Sequence, residues 1–127
     1  MSRVVIDASA LLALLFAETG HEIVSEALNH GIMSAVNLAE VASRLFFLGA
    51  DEQTTRNKLA DLPIEIVPFT QGHAYRAGVL RVATKARGLS LGDRACLATA
   101  EDLKLPVLTA DQSWSLLKLT IPVQVIR

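Results

Sequence analysis

The sequence predicts an α/β fold, with a parallel sheet of about five strands covered by helices on both faces. Two observations carry this reading. Short β-type runs rich in Val and Ile alternate with longer stretches of helical pattern, and strands apolar on both faces belong to sheets buried between helices. Hydrophobic residues make up 51% of the 127 residues and the mean hydropathy is +0.39. That is enough apolar material for one sizeable core and too much for a disordered chain. A single unit over residues 1–127 is expected, with no internal repeat, low-complexity tract or linker.

Val4 to Ile6 reads as the first strand and Ala8 to Phe16 as a helix. Thr19 and Glu22 have capping-box spacing, so a second helix is expected to about Asn29, with Gly31 beyond its end. Ile32 to Ser34 is a short strand, followed by a long helix from about Val36 to Leu48 that Gly49 stops. Asp51 caps the next helix, which ends before Pro63. Ile64 to Val67 is a strand, and Gln71 to Ala86 a helix closed by Gly88. Ser90 and Asp93 again have capping-box spacing and open a helix to about Leu103. Val107 to Thr109 is a strand, Asp111 caps a short helix through Leu117, and Val123 to Ile126 is the last strand.

Composition excludes several classes. A net charge of -1 and a pI near 6.3 do not suit a protein that wraps long nucleic acid through charge alone. The one cysteine, Cys96, can build neither a disulfide framework nor a thiolate metal site within the chain, and reads as a buried structural thiol. The apolar stretch from Ala8 to Ala17 is too short to span a bilayer, and Asp7 interrupts the run that imitates a signal peptide. A soluble cytoplasmic protein that does not engage a membrane is expected. P-loop, GxGxxG, CxxC and GxSxG motifs are absent.

Four acids stand in apolar surroundings: Asp7 in VVIDASALLALL, Glu40 in SAVNLAEVAS, Asp93 in LSLGDRACLATA and Asp111 in VLTADQSW. A carboxylate near a core is unfavourable by several kcal/mol unless it is compensated. Asp7 and Asp111 fall at or just past strand ends, and ligands of open α/β sheets bind outside the carboxyl ends of the strands. Asp7, Asp93 and Asp111 are also placed to cap helices, which is worth about 1 kcal/mol each. Glu40 shares its helical stripe with Asn37 and Arg44, and is read either as an exposed ion pair with Arg44 or as a carboxylate projected into a cleft.

Carboxylates without His or Cys partners select hard cations, Mg²⁺ or Mn²⁺. His21-Glu22 begins an HExxH pattern, but Ser25 stands where the second His belongs, and His30 and His73 have no ligand spacing. Arg76, Arg81, Lys85, Arg87 and Arg94 cluster in or after one helix, as a solvated face or as phosphate contacts leading to the acids. Trp114 reads as packing the last helix on the sheet. Phe46 and Phe47, beside Leu48, are material for the core or for a contact surface.

DASALLALL, SAVNLAEVASRL, LSLGDRACLATA and VLTAD, in that order along essentially the whole chain, resemble the PIN-domain ribonucleases, most closely the toxins of bacterial VapBC toxin–antitoxin pairs. The resemblance implies a three-layer α/β/α domain whose acids bind Mg²⁺ or Mn²⁺ and cleave RNA, leaving a 5′-phosphate and a 3′-hydroxyl. Asp7, Glu40, Asp93 and Asp111 would then form the metal and catalytic site. Asp7 and Asp93 would ligate directly, while Glu40 and Asp111 would ligate through water, complete a second site or act as general base. Ser9, Asn37 and Thr109 would orient them. Gln112 and Ser113 follow the last acid, where some members carry a further Asp or Asn. An antitoxin protein and a homodimer are the implied partners beside the RNA substrate. The competing readings are a catalytically silent PIN-like module that binds a protein, and a haloacid-dehalogenase-type phosphatase. The latter needs Asp-x-Asp, and here the third residue is Ser9.

Overall fold

The computed structural model describes residues 2–127; Met1, the first residue of the unit expected over 1–127, lies outside them. The strands are β1 (Val4–Ile6), β2 (Gly31–Ser34), β3 (Glu65–Val67), β4 (Val107–Thr109) and β5 (Val123–Val125). The helices are α1 (Ala8–Leu15), α2 (His21–Ala27), α3 (Ala35–Phe47), α4 (Glu52–Ala60), α5 (Gln71–Ala83) and α6 (Leu91–Leu103). All strand pairs are parallel, and the sheet order is β3-β2-β1-β4-β5.

Alternation of side chains along each strand sorts the core into two halves. Ile6, Met33 and Leu108 pack with Leu11, Val24 and Val41 on one face, with Leu38 and Leu59 of α3 and α4 against them. Val5, Ile32 and Val107 pack with Leu80, Leu97 and Trp114 on the other face. Strands buried on both faces explain the unbroken apolar runs. The sheet therefore lies between α1–α4 and α5–α6, the three-layer α/β/α architecture expected. The chain leaves the central β1 toward β2 and β3 on one side and returns to β4 and β5 on the other. That reversal makes the carboxyl end of β1 the switch point of the sheet, the position where such sheets hold ligands.

Several local expectations are corrected. The Thr19–Glu22 capping box does not form; Gly20 caps α2 with φ 92 and no side-chain bond. Glycine is required there twice over, by its left-handed backbone and because a Cβ would overlap the backbone carbonyl and side chain of Ile126. α5 stops at Ala83, where the hydroxyl of Thr84 donates to the carbonyl of Leu80 at 2.6 Å, and Lys85–Arg87 form a 3₁₀ turn instead of continuing the helix. The segment Asp111 caps is likewise a 3₁₀ turn, Gln112–Leu116. The Ser90–Asp93 capping box on α6 is present as read from the sequence. No helix among the described residues is long and apolar enough to cross a membrane.

Candidate active site

Asp7 sits one residue past β1, its backbone N–H still donating to the carbonyl of Leu108 at 2.9 Å. It is 3% exposed. Although it is the residue before α1, its carboxylate makes no capping bond. The hydroxyls of Ser9 (2.5 Å) and Thr109 (3.0 Å) both donate to its Oδ2 instead. The Ser9 hydroxyl in turn accepts from the N–H of Ala110 at 3.0 Å. Thr109 ends β4, the strand beside β1, so parallel pairing of Ile6 with Leu108 brings both hydroxyls to the carboxylate.

Glu40 is half-buried on α3, whose start Ser34 caps by accepting from the N–H of Val36 at 3.2 Å. It forms no pair with Arg44. Its Oε1 accepts from Asn37 Nδ2 at 2.8 Å. The same fully buried amide donates to the carbonyl of Gly92 at 3.0 Å, tying α3 to the first turn of α6. Asp93 follows Gly92, and its Oδ2 accepts from the N–H of Ser90 at 3.0 Å. Asp111 Oδ1 accepts from the N–H (2.9 Å) and hydroxyl (2.7 Å) of Ser113. Each of the four carboxylates is thus anchored by one oxygen, while its second oxygen accepts no hydrogen bond among the described residues.

Electrostatics joins three of the four. Burial pushes the Asp7 carboxyl from its ordinary 3.8 up to about 6, the charges of Asp93 and Glu40 add to the rise, and the Ser9 and Thr109 hydrogen bonds oppose it. Burial, with the charge of Asp93, also raises Glu40 against the pull of Asn37. Burial raises the thiol of Cys96 well above its ordinary value, with the Asp7, Asp93 and Glu40 charges adding to the effect, so it stays protonated and inert. Asp111 is not among the charges acting on Asp7 or Glu40. Its backbone rather than its carboxylate is linked to the cluster: the Thr109 hydroxyl accepts from the N–H of Asp111 at 3.1 Å.

None of the ion pairs among the described residues involves Asp7, Glu40, Asp93 or Asp111. As arranged, no group of three or more His, Cys, Asp or Glu side chains among the described residues is placed to hold a metal ion. The donor set still fits a hard divalent cation. It is all oxygen, one oxygen of each carboxylate is uncommitted, and three negative charges repel one another with no protein cation to offset them.

The basic residues divide. Arg81, Lys85 and Arg87 are exposed at the end of α5 and in the turn after it. Arg76 is paired with Glu101, eight residues along α6 from Asp93 and so roughly 12 Å away along the helix. Arg94 donates from Nη1 to the carbonyl of Ala77 at 3.0 Å, and its Nε is buried without a partner. His73 closes a capping box with Thr70 and contacts Asp102 at 2.9 Å, apart from the acids. Sequence reasoning overlooked Gly92; the signal was a glycine in the first turn of a helix, directly before an acid.

A buried Asp7, with the half-buried Glu40 and Asp93 acting on it, at the switch point of a five-stranded parallel sheet with helices on both faces, defines an α/β/α domain with acids at the carboxyl end of its sheet. The PIN domain family model matches residues 4–118. The chain belongs to that family. Among solved structures, a toxin–antitoxin complex from Klebsiella pneumoniae is similar at 25% identity and TM-score 0.76, covering 98% of each chain. A member of the VapBC family of toxin–antitoxin systems, VapBC-5 from Mycobacterium tuberculosis, is similar at 25% identity and TM-score 0.64, covering 100% of this chain and 99% of that one. Mycobacterium tuberculosis VapC20, described as a sarcin-ricin loop cleaving toxin, shares the fold at 16% identity and TM-score 0.75, over 89% of this chain and 93% of that one. No curated protein sequence matches the chain significantly.

Proposed function

We propose that the protein is a Mg²⁺- or Mn²⁺-dependent endoribonuclease, acting in the cytoplasm as the toxin of a toxin–antitoxin pair. The observation that carries this reading is the buried Asp7 carboxylate at the sheet's switch point, pressed by Glu40 and Asp93 and paired with no protein cation. Two similar structures at 25% identity are toxin–antitoxin proteins.

In this reading Asp7 and Asp93 offer their unanchored oxygens to the cation. When bound, the cation supplies Lewis acidity toward the phosphate and the attacking water. Ser9 and Thr109 fix the Asp7 carboxylate so that only Oδ1 is offered. Glu40 is held by Asn37 at Oε1, and its Oε2 would hold the cation through the attacking water and take that water's proton. Asp111 supports the site through Thr109 or a bridging water. Arg81, Lys85 and Arg87 steer phosphates toward the acids; Arg76 and Arg94 are already engaged with Glu101 and Ala77.

Phe46 (40% exposed) and Phe47 (82% exposed) are surface residues rather than core. Phe46 borders a groove of about 350 Å³ between α3 and α4, lined also by Leu38, Ala42, Leu59 and Ile66. An apolar groove bordered by the exposed Phe46 suits an amphipathic segment of the antitoxin. A homodimer belongs to the same proposal.

The test is purified protein, freed of partner, incubated with tRNA and mRNA panels plus Mg²⁺ or Mn²⁺, with the product ends identified. Discrete cuts leaving 5′-phosphates, lost in EDTA, are expected; inert RNA in every condition would leave only a binding module. The cation must also displace the proton on Asp7. Mn²⁺ affinity, measured by calorimetry, should be flat above pH 7 and fall about tenfold per unit below the Asp7 value of about 6. An affinity unchanged between pH 5 and 7 would remove Asp7 from the ligand set.

A further inference from the structure

We infer that Gly92 sets the position of the Glu40 carboxylate by leaving vacant the volume a side chain would fill. The inference rests on the metal-dependent reading above and names a positioning residue for that site. A Cβ built on Gly92 would overlap Glu40 Cδ, Oε1 and Oε2, and these are the three nearest atoms it would meet; none is backbone. The carboxylate lies directly on the α6 backbone, one residue before Asp93.

Backbone freedom does not explain this glycine. The positive-φ glycines are Gly20, Gly49 and Gly88, whereas Gly92 has ordinary helical geometry in the first turn of α6. On helix propensity alone Ala is the better residue. Close backbone packing does not explain it either, because the space goes to a side-chain terminus. The amide of Asn37 completes the clamp by donating both to Glu40 Oε1 and to the carbonyl of Gly92. Its own Oδ1 is buried without a partner, so the amide stands where it does for these two acceptors. Gly92 and Asn37 together set Glu40 beside Asp93 across the α3–α6 contact.

A methyl group at position 92 would push the flexible end of Glu40 aside and leave the carbonyl bond to Asn37 intact. The fold should tolerate this; the cation site should not. The experiment compares wild type, Gly92→Ala, Glu40→Ala and the double variant as full chains. Melting is followed in EDTA, Mn²⁺ is titrated by calorimetry, and RNA cleavage is assayed for kcat and KM. Gly92→Ala is expected to melt at or above wild type, to bind Mn²⁺ about tenfold or more weakly, and to lose kcat rather than KM. In the Glu40→Ala background the same change should alter Mn²⁺ affinity by less than about twofold, since the displaced group is gone.

Wild-type Mn²⁺ affinity in Gly92→Ala would overturn the inference and leave the nuclease reading standing. So would an equal loss in both backgrounds, or a collapse of Tm, since each assigns Gly92 a role in the backbone. A wild-type chain that binds no Mn²⁺ would instead overturn the parent reading, and the inference with it.

Discussion

Replacing Asp7 by Asn is expected to silence the protein and to make it more heat-stable in the absence of metal. The folded-state carboxyl titrates at about 6, against an ordinary value of 3.8. Between those values the folded chain holds a proton the unfolded chain has released. Stability therefore falls as pH rises through that window, and the full penalty is present above pH 6. A shift of about two units corresponds to an upper limit on the order of 3 kcal/mol. Asn removes the charge but keeps an oxygen to accept from Ser9 and Thr109. At pH 8 in EDTA the variant should melt roughly 5 °C above wild type, and the gap should close as pH approaches 4. RNA cleavage should drop by about 10²-fold or more, the scale for removing one group that stabilises transition-state charge. Superimposable melting curves at pH 8 would show that Asp7 carries no buried strain, and retained cleavage would place the chemistry elsewhere.

Trp114→Ala is expected to have the largest effect on the fold. Trp114 is 1% exposed and packs in the core half that holds Leu97, Val107 and Ile121. Its backbone N–H donates to the carbonyl of Asp111 at 3.2 Å, so the ring anchors the turn that carries the last acid. Truncating a buried Trp costs about 3–5 kcal/mol, a large part of the 5–15 kcal/mol that about a domain's worth of folding provides. A drop in Tm of roughly 10–15 °C is expected from thermal denaturation followed by circular dichroism. Trp114→Phe should be much milder, because the indole Nε1 has no hydrogen-bond partner to lose. An Ala variant within about 1 kcal/mol of wild type would mean the turn is not held by this ring.

The acids illustrate how far local pattern reaches. The Ser90–Asp93 box was legible because both partners lie within one turn of the same helix. The Thr19–Glu22 box had the same spacing and failed, because Gly20 must accommodate Ile126 from the far end of the chain. Glu40 and Arg44 had favourable i,i+4 spacing, yet the carboxylate turned to Asn37 and the backbone of α6. Capping alone accounts for the anchored oxygens of Asp93 and Asp111, but not for Asp7, which caps nothing.

By itself the chain's order of apolar runs and turn residues determined a parallel sheet between helices and put acids at strand and helix ends, because those features depend on neighbours within a few residues. Only the tertiary structure decided which acids feel one another, that Asp111 is linked to them through its backbone, which arginines are already engaged, and that the end of Glu40 lies where a side chain at position 92 would stand. These depend on pairs brought together from opposite ends of the sequence, where distance and burial, rather than spacing, set the energy.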